Sequence, residues 1–365
     1  MPGDDPLIST ELLGALLGRP EDAPPWLLMI AARQEKYSLP PLVLSLFECE
    51  GVALGSGSSD ELRRARRRHQ TYLHLASAVR SELPARVMKG PSIASHYPAG
   101  LVRPVGDLDL VVPNEEALWR AVEIVLRHNR AAEVHVTLFG HPGWHVLVTL
   151  TWPADDPVLD PELKIEVCTA ALAGDGGAVG IRPALPEHQA LADLLALAEE
   201  RFQRAFGVQD VVDVVVLDRA DLPAVGEIVD TVEAYQLAPE LVELLESARE
   251  HIGTGPLAKV ATGLGEAATR ERRRRGAWVR PTVEQDADWL EVAFASGKPV
   301  GGLLLRRTDP EPARGLRRSV IDRFSAGAIL RTLVGDYLLS SGSVVERSQY
   351  EAALVHLSQL GEGDV

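Results

Sequence analysis

Cysteine is scarce in this chain: 365 residues contain only Cys49 and Cys168. Two thiols leave no room for a disulfide scaffold or a cysteine-built zinc site. No uninterrupted apolar run approaches 18 residues, which argues against a membrane-spanning helix. The N-terminus, Met-Pro-Gly-Asp-Asp, lacks the positive and apolar regions of a secretory signal, so the expected location is the cytoplasm. Positive charge is also short. Lys and Arg number 37 against 52 Asp and Glu, a net charge of -15. That balance disfavours a surface devoted to nucleic acid, because phosphate neutralisation needs clustered cations. With 46% hydrophobic and 24% charged residues the composition is that of a globular protein, and the length allows about two domains.

The informative stretch is residues 87 to 112. It reads Val-Met-Lys-Gly-Pro-Ser and, after a short loop, Arg-Pro-Val-Gly-Asp-Leu-Asp-Leu-Val-Val. Side chains on a strand alternate faces, so Asp107 and Asp109 are expected on one face with Leu108 and Leu110 on the other. Carboxylates roughly 6 to 7 Å apart along one strand face repel each other, and a solvated groove or a divalent cation makes the arrangement tolerable. Upstream, Gly90 lets backbone approach a ligand closely, and Ser92 offers a hydroxyl to a phosphate oxygen. A glycine turn leading into a strand with Asp-x-Asp suits a magnesium-triphosphate site. Further on, Leu163 to Thr169 alternates as a strand with Lys164, Glu166 and Cys168 on one face. Lys164 is expected to balance triphosphate charge or to pair with a neighbouring acid.

Lys89-Gly90, an arginine at 103 and Gly106-Asp107-Leu108-Asp109-Leu110-Val111-Val112 together resemble the polymerase-beta-type nucleotidyltransferase superfamily. The likeness is greatest to its family of uncharacterised bacterial nucleotidyltransferases, and it covers about residues 85 to 220. The resemblance implies an α+β fold with a mixed nucleotidyltransferase-type sheet flanked by helices. It implies Asp107 and Asp109 as ligands of magnesium, or of manganese in its place, with Glu166 as third ligand or as the base that deprotonates the acceptor. Lys89, Gly90, Ser92, Arg103 and Lys164 are the implied nucleotide-binding residues. Two departures stand out: Pro91 separates Gly90 from Ser92, where the superfamily has Gly-Ser adjacent, and Glu166 stands where many relatives have aspartate.

The implied activity is transfer of a nucleoside monophosphate from a nucleoside triphosphate such as ATP to a small-molecule or peptide acceptor. Two other readings accompany it. One is a toxin that modifies transfer RNA, which the arginine runs at 63 to 68 and 270 to 275 would serve and the overall acidity opposes. The other is a scaffold that binds nucleotide without turning it over. Gly-Ser-Gly-Ser at 55 to 58 is no P-loop, since no Gly-Lys-Ser/Thr follows it.

The regions expected are N-terminal helices over 1–84, a catalytic core over 85–220 and a mainly helical part over 221–365. Pro24-Pro25-Trp26 and Pro40 mark helix starts. Asn114 caps a helix from Glu115 to about Asn129. Glu133 to Phe139 and Trp144 to Trp152 form a hairpin through Gly140-His141-Pro142-Gly143. On that hairpin His135, His141 and His145 are a weak zinc signal. His96, close to the turn, is a candidate for touching a nucleotide. Asp210 and Asp213 share a helical face and are read as capping or ion-pairing residues. In the last third, Leu290 to Phe294 and Val300 to Arg306 are expected as strands or as a partly buried hairpin, with helix from Ile321 through Leu338.

Overall fold

Proline sets where the N-terminal helices begin, because a residue without an amide hydrogen costs nothing at the first helical position. The computed structural model describes residues 7–20, 23–36, 38–129, 131–140, 143–280, 288–308, 318–342 and 344–362. Helices α1 (Thr10–Leu16), α2 (Pro25–Glu35), α3 (Pro40–Cys49) and α4 (Ser56–Glu82) lead to β1 (Arg86–Met88), α5 (Gly90–Ala94), β2 (Leu108–Val111) and α6 (Glu115–His128). Then come β3 (Glu133–Phe139), β4 (His145–Trp152), β5 (Leu163–Cys168), α7 (Gln189–Glu199) and α8 (Val208–Leu217). Helices α9 (Val225–Ala234), α10 (Ala238–Ser247), α11 (Arg249–Ile252), α12 (Pro256–Gly263), α13 (Gly265–Gly276) and α14 (Trp289–Ala295) follow. The chain ends with β6 (Val300–Arg307), β7 (Val320–Phe324), β8 (Gly327–Arg331), β9 (Gly335–Ser340) and α15 (Arg347–Glu362).

The class is α+β. Among the described residues nine strands form one mixed sheet in the order β1-β2-β5-β4-β3-β6-β9-β8-β7. From β5 to β7 every neighbouring pair is antiparallel. Contacts group the chain into two units, each drawn from separate stretches. The first comprises residues 1–74, 87–108 and 185–278, and the second 75–86, 109–184 and 279–365. These limits cut across the three consecutive regions that the sequence suggested.

In the first unit α7 is buried from Ala190 to Glu199 and α8 is buried at nine of its ten positions. A helix hydrophobic all round is one surrounded by others. A smaller cluster of Leu44, Leu62 and Val102 ties α3 and α4 to the segment preceding β2. There Ser45, fully buried, donates to Leu42 O at 2.9 Å and accepts the Val102 amide at 2.9 Å. Ser45→Ala leaves that buried amide without an acceptor. We expect a loss of about 1–3 kcal/mol in denaturant unfolding; a change within the error of the extrapolation would show the contact to be idle.

In the second unit the alternation on β3, β4 and β5 is regular, with Val134, Val136, Leu138, Val146, Val148, Leu150, Ile165 and Val167 all buried. Asn114 caps α6 as expected, its side chain accepting from the Ala117 amide at 2.9 Å. The C-terminal expectation needs correction. Residues 321 to 338 are not helix but strands β7, β8 and β9, and Leu290 to Phe294 lies in α14 rather than in a strand. Strand β6 is where it was expected. Two features decide against helix. Gly335 sits so close to β6 that a Cβ would stand 2.8 Å from Arg306 O, and Thr332 Oγ1 accepts the Gly335 amide at 3.1 Å to close the β8–β9 turn. Strands β8 and β9 have consecutive buried residues, Ala328 to Leu330 and Gly335 to Leu339, so their sequences read as continuous apolar runs without a period of two.

Candidate functional site

The first unit holds the glycine turn. Lys89 adopts φ 44° and ψ -141°, a conformation costly for a residue with a side chain, and Gly90 follows at φ +40°. At Gly90 a Cβ would stand 3.3 Å from Asp107 O, so the absent side chain lets the turn lie against the backbone that leads into β2. Asp107 itself is half-exposed and precedes the first paired residue of β2 rather than lying within the strand. Its segment is tied from α4, where Tyr72 donates to Gly106 O at 2.8 Å.

A residue that sequence reasoning passed over fixes this turn. Asp193, fully buried in α7, accepts the Lys89 amide at 2.8 Å and the Ser92 hydroxyl at 2.6 Å. Gln189, one helical turn earlier, donates to the same carboxylate at 3.2 Å and to Val87 O at 2.9 Å. Burial pushes the Asp193 carboxyl up to about 6, opposed by those hydrogen bonds and by the charge of Arg103. The available signal was a single acid inside Ala-Leu-Ala-Asp-Leu-Leu-Ala-Leu-Ala, a helix with no polar face for it to occupy.

Arg103 faces inward. Its guanidinium is buried and donates from Nε and Nη2 to Asp213 at 2.8 and 2.7 Å, and from Nη1 to Gly90 O at 3.2 Å and Pro104 O at 3.0 Å. Burial works against its charge, but Asp213 outweighs that and holds the group protonated. Asp213 also accepts the Tyr97 hydroxyl at 2.6 Å, and burial together with that carboxylate raises the Tyr97 pKa. Arg103 is therefore a strut beneath the turn. Asp210 caps α8, accepting the Gly207 amide at 2.8 Å, and pairs with Arg204 at 2.6 Å. Both aspartates are structural, as their helical face suggested.

Lys89 Nζ pairs with Glu200, whose other oxygen meets Arg204 Nε at 3.2 Å. His96 is half-buried nearby, its pKa lowered by burial and by His188. Several arginines of the two runs are matched to acids. Arg63 and Arg64 pair with Asp60, and Arg66 with Glu48. Arg270 meets Glu233, while Arg275 meets Glu240 and Glu271. Such pairing leaves less positive potential for an RNA backbone than the sequence alone suggests.

The second unit holds the other carboxylates. Strands β2 and β5 are neighbours, and the Val112 amide, just past β2, donates to Cys168 O at 3.0 Å at the end of β5. Asp109 is 9% exposed, at the limit of burial. Along β5, Lys164, Glu166 and Cys168 share the more open face and Lys164 Nζ donates to Glu166 Oε1 at 3.1 Å. The Cys168 thiol is pushed up to about 12, first by burial and then by the charges of Glu166 and Asp109. Both carboxylates therefore bear on the same sulfur. With so little thiolate at neutral pH, Cys168 should resist iodoacetamide at pH 8 while exposed Cys49 reacts. Equal labelling of the two by peptide mass analysis would contradict this placement.

Among the described residues no three His, Cys, Asp or Glu side chains stand together as a metal cage. The donor chemistry of Asp109 and Glu166 nonetheless suits magnesium. That ion is held by one or two carboxylates, with waters and substrate phosphates completing its shell. Among the described residues, His135 and His145 do not come together as a zinc site. His135 lies opposite Thr149 and His145 opposite Phe139, about four residues apart along the ladder. His135 pairs with Glu133 and His145 Nδ1 lies 3.2 Å from Thr169 O, while His141 is outside the described residues. No family model, curated protein or solved structure matches the chain.

Proposed function

We propose that the chain is a metal-dependent nucleotidyltransferase, moving a nucleoside monophosphate from a triphosphate to an acceptor hydroxyl or phosphate and releasing pyrophosphate. The observation that carries this reading is that Asp109 and Glu166 lie on the adjacent strands β2 and β5. Neighbouring carboxylates repel, and a divalent cation offsets that repulsion. Magnesium, when bound, neutralises charge at the α-phosphate and lowers the pKa of the attacking hydroxyl.

Asp109 supplies one carboxylate, and Asp107, two residues before it in the chain, completes the Asp-x-Asp pair. Glu166, steadied through Oε1 by Lys164, is either the further metal ligand, the acceptor's proton then passing to water, or the base that takes that proton. The acceptor oxygen attacks the α-phosphorus, the bond to the bridging oxygen of the β-phosphate breaks, and pyrophosphate leaves in line with the attack.

Incubation with each of the four α-labelled triphosphates, magnesium and candidate acceptors should release pyrophosphate and give a labelled adduct. No product with any triphosphate or acceptor would count against transfer. A second reading, nucleotide binding without turnover, is favoured by one detail. Ser92 and Lys89 already have protein partners in Asp193 and Glu200. Tight triphosphate binding by calorimetry with no pyrophosphate released would decide for it.

A further inference from the structure

A turn that holds a lysine at φ 44° must be over-determined by its surroundings, or the backbone relaxes to a cheaper conformation. Here the surroundings are chiefly one carboxylate. Asp193 when ionised has only acceptor sites, and it receives three donors: the Lys89 amide at 2.8 Å, the Ser92 hydroxyl at 2.6 Å and Gln189 Nε2 at 3.2 Å. A hydroxyl has a single hydrogen. The one on Ser92 is spent on Asp193, so it is not available to a phosphate oxygen at the same time. What the turn offers an anion is the backbone that its strained conformation presents, beside a Lys89 ammonium that is shared with Glu200.

We propose that Asp193 is a positioning residue for anion binding: it pins Lys89 and Ser92 so that the Lys89–Gly90 turn is presented to the phosphates of a nucleoside triphosphate. This inference rests on the nucleotidyltransferase reading. It gives Ser92 the part of a tether where the family resemblance gave it a phosphate contact. The role needs two acceptor or donor points at fixed positions and not a negative charge. In Asp193→Asn the side-chain oxygen still accepts the Lys89 amide, and the new Nδ2 donates to Ser92 Oγ, so the posture is kept. In Asp193→Ala both tethers vanish.

The test uses the full chain with magnesium tripolyphosphate as a probe independent of the base, followed by ATP and the transfer assay. Asp193→Asn should bind within about threefold of the natural chain, and Asp193→Ala should bind about tenfold more weakly or worse. Hydrogen exchange at the Lys89 and Ser92 amides should speed up in the alanine variant and not in the asparagine variant. In the transfer assay KM for the triphosphate should rise in Asp193→Ala with kcat retained, a split that a general loss of folded protein would not give. Should that variant fail to fold, Ser92→Ala removes one tether alone and is expected to weaken binding about threefold.

Equal binding by the natural chain and a folded Asp193→Ala, or by the natural chain and Ser92→Ala, would overturn the inference and leave the functional reading standing. Equal losses in the asparagine and alanine variants would also overturn it, since charge and not posture would then be the cause. If the natural chain binds neither tripolyphosphate nor ATP, the inference and the functional reading fall together.

Discussion

Replacing Asp109 by asparagine is expected to lower nucleotidyl transfer by about 100- to 1000-fold, the range found when a group stabilising developing charge is removed. Asparagine keeps the shape and one oxygen but not the charge that offsets a divalent cation. The change should leave folding intact or strengthen it. Asp109 is 9% exposed, and a buried carboxylate costs more to desolvate than a neutral amide of the same size. Loss of activity with an unchanged or raised melting midpoint is therefore the expected pair of results. The test is steady-state pyrophosphate release alongside calorimetric melting of the same preparation. Retained activity would remove Asp109 from the chemistry. Loss of both activity and fold would make it a structural acid.

The second large effect concerns stability. Arg103 and Asp213 are both buried, joined by two hydrogen bonds at 2.7 and 2.8 Å, and Asp213 also accepts from Tyr97. Breaking a buried pair from one side leaves an uncompensated charge, so Asp213→Ala should cost about 3–5 kcal/mol. The Tyr97 hydroxyl loses its partner as well. Because Arg103 Nη1 holds Gly90 O, the damage should reach the glycine turn as faster amide exchange there. Asp213→Asn should cost less, since it still accepts from Arg103. Denaturant unfolding of the two variants gives the comparison. A loss below about 1 kcal/mol for the alanine variant would show that the pair is no better than a surface ion pair.

How far the sequence reaches is visible in particular elements. Strand β5 was legible because its alternation has one face buried and one open, the situation in which a period of two survives. Helix α3 was legible from Pro40 at its start, and α6 from Asn114 at its cap. Strands β8 and β9 were not. They are buried on both faces, so Ile329, Leu330, Tyr337 and Leu338 carry no period that separates strand from helix.

At the candidate site the Asp-x-Asp pair and the glycine turn stood out by residue type alone. The part played by Arg103 did not, because its partner Asp213 lies 110 residues further along the chain. Asp193 was hidden for a related reason. Its three donors come from two stretches about a hundred residues apart in the chain, and an isolated acid in an apolar helix gives no hint of which.

The central claim is that the acids of β2 and β5 hold a divalent ion that grips a nucleotide. The most direct measurement is diffraction from a crystal soaked with manganese and a non-hydrolysable nucleoside triphosphate, collected where manganese scatters anomalously. The account predicts an anomalous peak within roughly 2.5 Å of an Asp109 oxygen, with a phosphate oxygen in the same coordination shell. Ordered nucleotide whose phosphates and metal lie away from Asp109 and Glu166 would contradict it.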